Sequence, residues 1–494
     1  MPVLKTSSAL LAILTLATSP ALAQTTQKSA PSASAKEAAR KRAEAERVAS
    51  EAARTRAEEE RLASEEARRN AEAEARALRE QLQALERRVG DLEAQSSERQ
   101  QRIQALEETT SKLPEADALV SVGAFPGSFR IPGTDAALKI GGQVRVTMVE
   151  SFDAIGSSDR FITSSIPIAG TAEAGAGSRV TLTAIPSRFN LDFRTPTGIG
   201  DMRAFIEADF AGPNNTLRLR HAFGRWRGFL FGQTWSTFAD PEAEPDGIDF
   251  EGLNAISLFR QVQIRFTRPL SSTVAVAVAL ENPKPEVTGA AGVTQVPDLV
   301  LRVRWEPMMD LPGLIGLRKL GHVQLAVVVR QIRAEPEVPP PADVTKAGFG
   351  AGLSGRLNTG WIRQNDDLSF SAYFGKGIGR YISDLDSFGG QDAYYDPAGA
   401  RLEALQVLAG YLGYELAWTG ALRSTVTIGW VRVFTLAVQP ADALERTLRM
   451  SANLAWSPVP RLDFVAELLG GRRWDKDGQW GQALQLQLGT RFVF

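Results

Sequence analysis

Cysteine is absent from the 494 residues, so neither disulfides nor thiolate metal sites can form. Histidine occurs only as His221 and His322, too little for imidazole catalysis or a metal centre, and no cofactor is expected. A hydrolase would need Ser, His and an orienting Asn or Asp on one wall, and two histidines supply no such constellation. Net charge is also missing: 56 basic against 57 acidic residues leave −1, which gives no sign of a nucleic-acid partner. After the first two dozen residues no apolar run approaches the ~20 that a transmembrane helix requires. Any later membrane crossing must therefore use strands.

The opening "MPVLKTSSALLAILTLATSPALA" has Lys5 before an apolar run, Ala9 to Ala17, and then Ala21-Leu22-Ala23. That order predicts a secretory signal over 1–23, followed by a linker over 24–34. From 35 to 113 the chain is almost wholly Ala, Glu, Arg, Gln and Leu, with no proline until Pro114. These are strong helix formers. A heptad places Leu82, Val89, Ser96 and Ile103 at a, and Leu78, Leu85, Leu92, Leu106 and Leu113 at d, with Ser96 and Arg99 interrupting the seam. A helical stalk is expected over 35–113, an oligomeric coiled coil over 76–113 and either a held helix or a solvated, partly disordered stretch over 35–75, with a linker over 114–137.

After Pro114 the hydrophobic period becomes 2. In "LKIGGQVRVTM" Leu138, Ile140, Val144, Val146 and Met148 share one face, opposite Lys139, Gln143, Arg145 and Thr147. "RFNLDFR", "VQIRF", "LVLRVRWE" and the closing "LQLQLGTRFVF" repeat the alternation. It predicts half-buried strands. About sixteen such segments start near residues 138, 179, 201, 216, 228, 257, 272, 298, 322, 346, 367, 403, 422, 445, 461 and 482, each of the length a tilted membrane strand needs. Short connections such as "PTGIG", "GRWRG", "RPLSS" and "SPVPR" alternate with long ones at 152–177, 236–256, 282–297, 334–345 and 377–402. The connection 307–321 fits the short class poorly. Trp226, Trp305, Trp361, Trp418, Trp456 and Trp474 fall near strand ends, as an interfacial girdle would. The fold class is thus an all-β transmembrane barrel of about 16 antiparallel strands over 138–494, with an N-terminal helical extension and with membrane lipid as a partner. A soluble sandwich would leave the arginine-rich face outside, and a TonB-driven transporter would need a plug and about 22 strands.

If the apolar face meets lipid, the other face lines a pore. Parity sends Arg145, Arg188, Arg194, Arg218, Arg220, Arg265, Arg302 and Arg304 inward, whereas Arg225 and Arg227 fall in a short turn at the rim. The barrel region holds about 30 arginines and about 6 lysines. Guanidinium stays charged and grips a carboxylate with paired hydrogen bonds, whereas ammonium is a point charge. Acids cluster in "ADPEAEPDGIDFE", 239–251. If that loop folds inward, Asp240, Glu242, Glu244, Asp246, Asp249 and Glu251 face the wall arginines across a constriction. If it does not, they solvate an outer loop. Asp192, Glu207 and Asp209 offer a competing use for the arginines, as structural ladders. His221 shares the apolar parity of Leu219 and Phe223, which points to a subunit interface.

The pieces "GSFRIPGTDAALKIGGQVRV" (127–146), "LRLRHAFGRWRGFLFGQTWSTFAD" (217–240), "IDFEGLN" (248–254), "RQVQIRF" (260–266) and "GTRFVF" resemble the DcaP-like trimeric outer-membrane porins. The resemblance implies a sixteen-stranded homotrimer in the outer membrane of a Gram-negative bacterium, with the coiled coil in the periplasm. It also implies uptake of small anionic solutes, especially dicarboxylates, past Arg145, Arg218, Arg220 and Arg265, and no enzymatic activity. The alternative reading is a structural tether, in which the stalk joins the outer membrane to peptidoglycan or a periplasmic partner.

Overall fold

The computed structural model describes residues 44, 68–70, 72, 74, 76–105, 121–309, 318–337, 344–360, 362–363 and 365–494. The expected leader and the linker 24–34 lie outside the described residues. So do most of 35–75, Leu106, Leu113, Trp361 and the middle of the connection 307–321. The chain divides into two compact units, Met1–Ala116 and Asp117–Phe494. In the first, residues 76–105 form one α-helix. Its Leu78, Leu82, Leu85, Val89, Leu92 and Ile103 are all exposed in the single chain.

The second unit is a closed antiparallel barrel. Among the described residues its sixteen strands are β1 (Ala137–Ser151), β2 (Arg179–Thr183 continued by Arg188–Thr195), β3 (Met202–Asp209), β4 (Arg218–Trp226), β5 (Phe229–Trp235) and β6 (Arg260–Pro269), then β7 (Val274–Glu281), β8 (Asp298–Trp305), β9 (Gly321–Glu335) and β10 (Thr345–Asn358). The circuit continues with β11 (Asp367–Lys376), β12 (Gln406–Ala417), β13 (Leu422–Phe434), β14 (Leu444–Val459), β15 (Leu462–Asp475) and β16 (Trp480–Val493). Pairing of β1 with β16, from Gln143↔Val493 to Ser151↔Gln485, closes it. Closure leaves no unpaired edge in the hydrocarbon.

The predicted alternation sets the faces. Val144, Val146, Leu191, Ile264, Leu301, Val303 and Leu488 are exposed on the outer wall, and Trp305, Trp418 and Trp456 stand near its short-turn end. Local chemistry explains the irregularities. Pro186 has no N–H to give a ladder, so β2 breaks there, and Ser187 Oγ accepts the Arg145 N–H at 3.0 Å in its place. The β4–β5 hairpin turns on Arg227 and Gly228, with φ of 48° and 86°, the paired left-handed geometry of a two-residue turn. The connection after β8 is a longer hairpin, in which Met308–Met309 pairs with Arg318–Lys319.

Parity fails at one place. Glu207 pairs with His221, yet Ala208 pairs with Leu219, so Arg220 is an extra residue in β4. Such a bulge turns consecutive side chains to the same face. Arg220 and His221 are both buried inside, and the register beyond them is inverted. Phe223 therefore stands opposite Phe205, and Arg225 opposite Arg203, on the inner face. His221 is thus not on the outer wall, and Arg225 is a strand residue rather than a turn residue.

The lumen is partly filled. The connections 236–259 and 377–405 turn inward and pack Phe238, Leu253, Ile256, Ile378, Tyr381 and Leu385 against Val300, Val328, Tyr373, Val407 and Val431 of the wall. The inner face of β8–β14 is consequently apolar near its long-loop end. Val300 shares its face with Arg302 and Arg304, but it lies under loops rather than water.

Candidate pore constriction

The loop 236–259 crosses the barrel because each end and its middle find partners. At its start Ser236 Oγ donates to Glu281 at 2.6 Å, and the Thr237 N–H donates to the same carboxylate at 2.6 Å. Asp240 is buried, with His322 Nε2 at 2.9 Å from both carboxylate oxygens and Ser354 Oγ donating at 2.7 Å. Asp246 meets Arg423 at 2.6 Å and Arg491 at 3.3 Å. Asp249 meets Arg449 at 2.9 Å, both side chains being only 2% exposed. Glu467 of β15 accepts the Ile248 N–H at 2.6 Å. Apart from Glu281 of β7, these partners stand on β9–β16. The loop therefore lies on that wall and leaves free space toward β1–β6.

That space is a cavity of about 940 Å3. Among the described residues nine arginines and seven carboxylates line it, with no lysine. Of the sequence-predicted residues it brings together Arg145, Arg188, Arg218, Arg220, Glu244, Asp246, Asp249 and Glu251. Arg194, Arg265, Arg302, Arg304, Asp240 and Glu242 are not in its lining. Arg304 is held by Glu242 and by Glu306 at 3.1 Å, with Asp240 at 3.9 Å. Arg194 and Arg203 share Asp192 at 2.8 and 2.7 Å.

Pairing divides the cavity arginines. Arg218 donates Nε–H and Nη2–H to the two oxygens of Asp209 at 3.0 and 2.7 Å. Arg220 bridges Glu207 and Asp209, both at 2.8 Å. These two, the most conspicuous in the sequence, are thus locked into a carboxylate ladder between β3 and β4. Arg188 comes only within 3.7 Å of Glu207. Arg145 is 7% exposed, and its Nε and Nη2 have no hydrogen-bond partner. Arg260 lies over the Trp235 ring at 4.7 Å and leaves Nη1 unpartnered. A buried donor without an acceptor is costly unless something else supplies one.

Sequence parity missed Arg160, Arg260, Arg356, Arg423, Arg491, His221 and Trp235, all of which line the cavity. Arg260 is the first residue of β6, where the pleat has not begun, and Arg160 comes from an inward loop. His221 needed the bulge. Its Nδ1 lies 3.0 Å from Thr234 Oγ1.

Two loop carboxyls face the cavity: Glu244 has no ion pair among the described residues, and Glu251 has only Arg160, at 3.8 Å. Burial inside the barrel, aided by the neighbouring Asp246 charge, pushes Glu244 up to about 7. Burial likewise pushes Glu251 up to about 7 against the opposing pull of Ser387 and Arg160. Among the described residues no group of three or more His, Asp or Glu is placed to hold a metal ion. The arrangement suits transient contact with a small charged solute: open guanidinium donors on one side, fixed carboxylates on the other, and aromatic faces from Phe205, Phe223, Trp235 and Phe250 between them.

A family model described as "DcaP outer membrane protein" matches residues 68–494. No curated protein sequence matches. The crystal structure of the outer membrane channel DcaP of Acinetobacter baumannii superposes with a TM-score of 0.63 at 22% identity, covering 76% of this chain and 100% of that one. An anion-selective porin from Comamonas acidovorans follows with a TM-score of 0.48 at 10% identity, covering 73% of this chain and 100% of that one.

Proposed function

The chain belongs to the DcaP outer membrane protein family and is an outer-membrane porin, and from that premise we propose that it passes small anionic solutes, dicarboxylates above all, through the arginine-lined constriction. One observation carries this reading: the loop acids Asp246 and Asp249 are neutralised by Arg423, Arg491 and Arg449 of the far wall, whereas Arg145 and Arg260 of the near wall keep unpartnered donors. Net charge is close to balanced, so placement decides selectivity, and the low-dielectric wall focuses the field of the unpaired guanidinium groups. An entering carboxylate offers the acceptors that Arg145 and Arg260 lack, and Trp235 keeps Arg260 oriented without consuming its charge.

The same reading makes the porin a homotrimer. Strands β3, β4, β5, β7 and β8 have only 8, 9, 7, 8 and 8 residues, at or below the ~9–11 that a tilted strand needs to span a bilayer. Neighbouring copies would cover that side. The exposed leucine stripe of the helix 76–105 gives a seam for the same association in the periplasm.

The test is the reversal potential in planar bilayers under a KCl gradient. The wild type should prefer anions, and Arg260→Gln combined with Arg145→Gln should lower the anion-to-cation permeability ratio several-fold. Arg218→Gln alone should change it less, because Asp209 already holds that charge. A cation preference in the wild type would overturn the proposal.

A further inference from the structure

Below the constriction cavity, on the wall of β3–β8, stands a second group of arginines, most of which have no ion pair among the described residues. Direct cross-strand pairs place Arg203, Arg225, Leu230 and Arg265 in one row on the inner face. The row continues through Ala279 to Val300, and Arg302 stands two residues further toward the short-turn end of β8. Arg203 is tied to Asp192. Among the described residues Arg225, Arg265 and Arg302 have no ion pair or hydrogen bond, and Arg265 Nε is closed off from water without a partner.

The carboxylates that could reach them are engaged elsewhere. Glu281 accepts from Ser236, Thr237 and Gln261. Asp240 is held by His322 and Ser354, and Glu242 and Glu306 are held by Arg304. On the opposite wall, by contrast, Arg356 is matched by Asp367 and Glu415, and Arg491 by Asp463. Three like charges on alternate strands of one wall, β4, β6 and β8, repel one another, and a shut-off guanidinium N–H lacks an acceptor. A small oxyanion relieves both.

We propose that Arg225, Arg265 and Arg302 form a second anion station, on the short-turn side of the constriction, which binds a small oxyanion carrying two negative charges. The station rests on the anion-porin reading but adds to it. A solute leaving the cavity is received by a site of higher positive charge, so the channel is asymmetric and a dianion arriving from the short-turn side meets the station without crossing the constriction. Two separated stations also let one anion displace the next, as conduction through a binding pore requires.

Single-channel KCl currents, recorded at pH 8 with inorganic phosphate, succinate or acetate added to one chamber at a time, test it. For each inserted channel, phosphate and succinate should block from one chamber at a concentration about tenfold lower than from the other, and acetate should show no such sidedness. Arg265→Gln with Arg302→Gln should abolish the sidedness, and Arg265→Lys with Arg302→Lys should retain it. Heat-modifiable electrophoretic mobility verifies that each variant is a folded barrel, and Arg260→Gln, which acts in the cavity, should leave the sidedness in place. Block by phosphate and succinate alike, with sidedness lost only in the glutamine variant, supports the station. Phosphate block alone would narrow the ligand to phosphate, and succinate block alone to carboxylates. Equal block from both chambers, sidedness that survives in the glutamine variant, or equal sidedness with acetate would overturn it. An anion-preferring wild type without sidedness would remove the station and leave the function standing.

Discussion

The seat of the constriction loop can be broken at Asp249. Its carboxylate accepts from Arg449 at 2.9 Å, from the Phe161 N–H at 2.9 Å and from Gln487 Nε2 at 2.6 Å. Both members of the ion pair are only 2% exposed, so water does not screen the loss. Removing one partner of a buried pair costs roughly 3–5 kcal/mol, because the other charge stays behind unpaired. Here Arg449 retains the Phe161 carbonyl at 2.9 Å and that of Gly252, so Asp249→Ala should fall near ~3 kcal/mol, about a hundredfold in the balance between seated and displaced loop. Sixteen paired strands do not depend on that bond, so the cost should appear locally. Single-channel recordings should show flicker to larger conductance, absent from the wild type, while the barrel still migrates as folded. Replacing both partners, with Asp249→Leu and Arg449→Met, removes the stranded charge and should quiet much of the flicker. Currents from Asp249→Ala as steady as the wild type, with unchanged conductance, would refute the idea that this pair seats the loop.

Two further outcomes are expected. Glu244 and Glu251 are both raised to about 7, so they are mostly neutral below that pH and add negative charge to the cavity above it. The anion preference should therefore fall as pH rises from 5.5 to 8.5, and Glu244→Gln should flatten the trend; reversal potentials that become more anion-selective at high pH would contradict it. In the ladder, Asp209 is fully buried between Arg218 and Arg220. Asp209→Asn should weaken three charge-assisted bonds, two from Arg218 and one from Arg220, each worth ~1.5–3 kcal/mol at most, lower the temperature at which the barrel loses its folded electrophoretic mobility, and raise the anion preference by freeing Arg218.

The strands were legible because their cause is local. An alternation of two follows from the pleat, and Leu138, Ile140, Val144 and Val146 carry it whatever lies across the sheet. Turn chemistry is local too: Arg227-Gly228 and Pro460-Arg461 end their strands without reference to distant residues. The same parity put Arg145, Arg218 and Arg265 on the inner face, where the closed sheet also has them. It failed at His221 and Phe223, because a bulge depends on the count of residues in the partner strand, which β4 alone does not carry.

What one chain segment determines by itself is therefore the barrel: its strand number, its two faces and the family it belongs to. What only the tertiary structure decided is which charges are free. Arg218 and Arg220 stand out in the sequence yet are consumed by Asp209 and Glu207 one strand away, whereas Arg260 stands at a strand start and keeps its donor open over Trp235. The loop 236–259 is seated by Glu467, Arg449 and Arg491, two hundred and more positions along the chain. Whether a guanidinium is a ladder rung or a docking point depends on where carboxylates arrive from elsewhere, and those distances come only from closing the sheet.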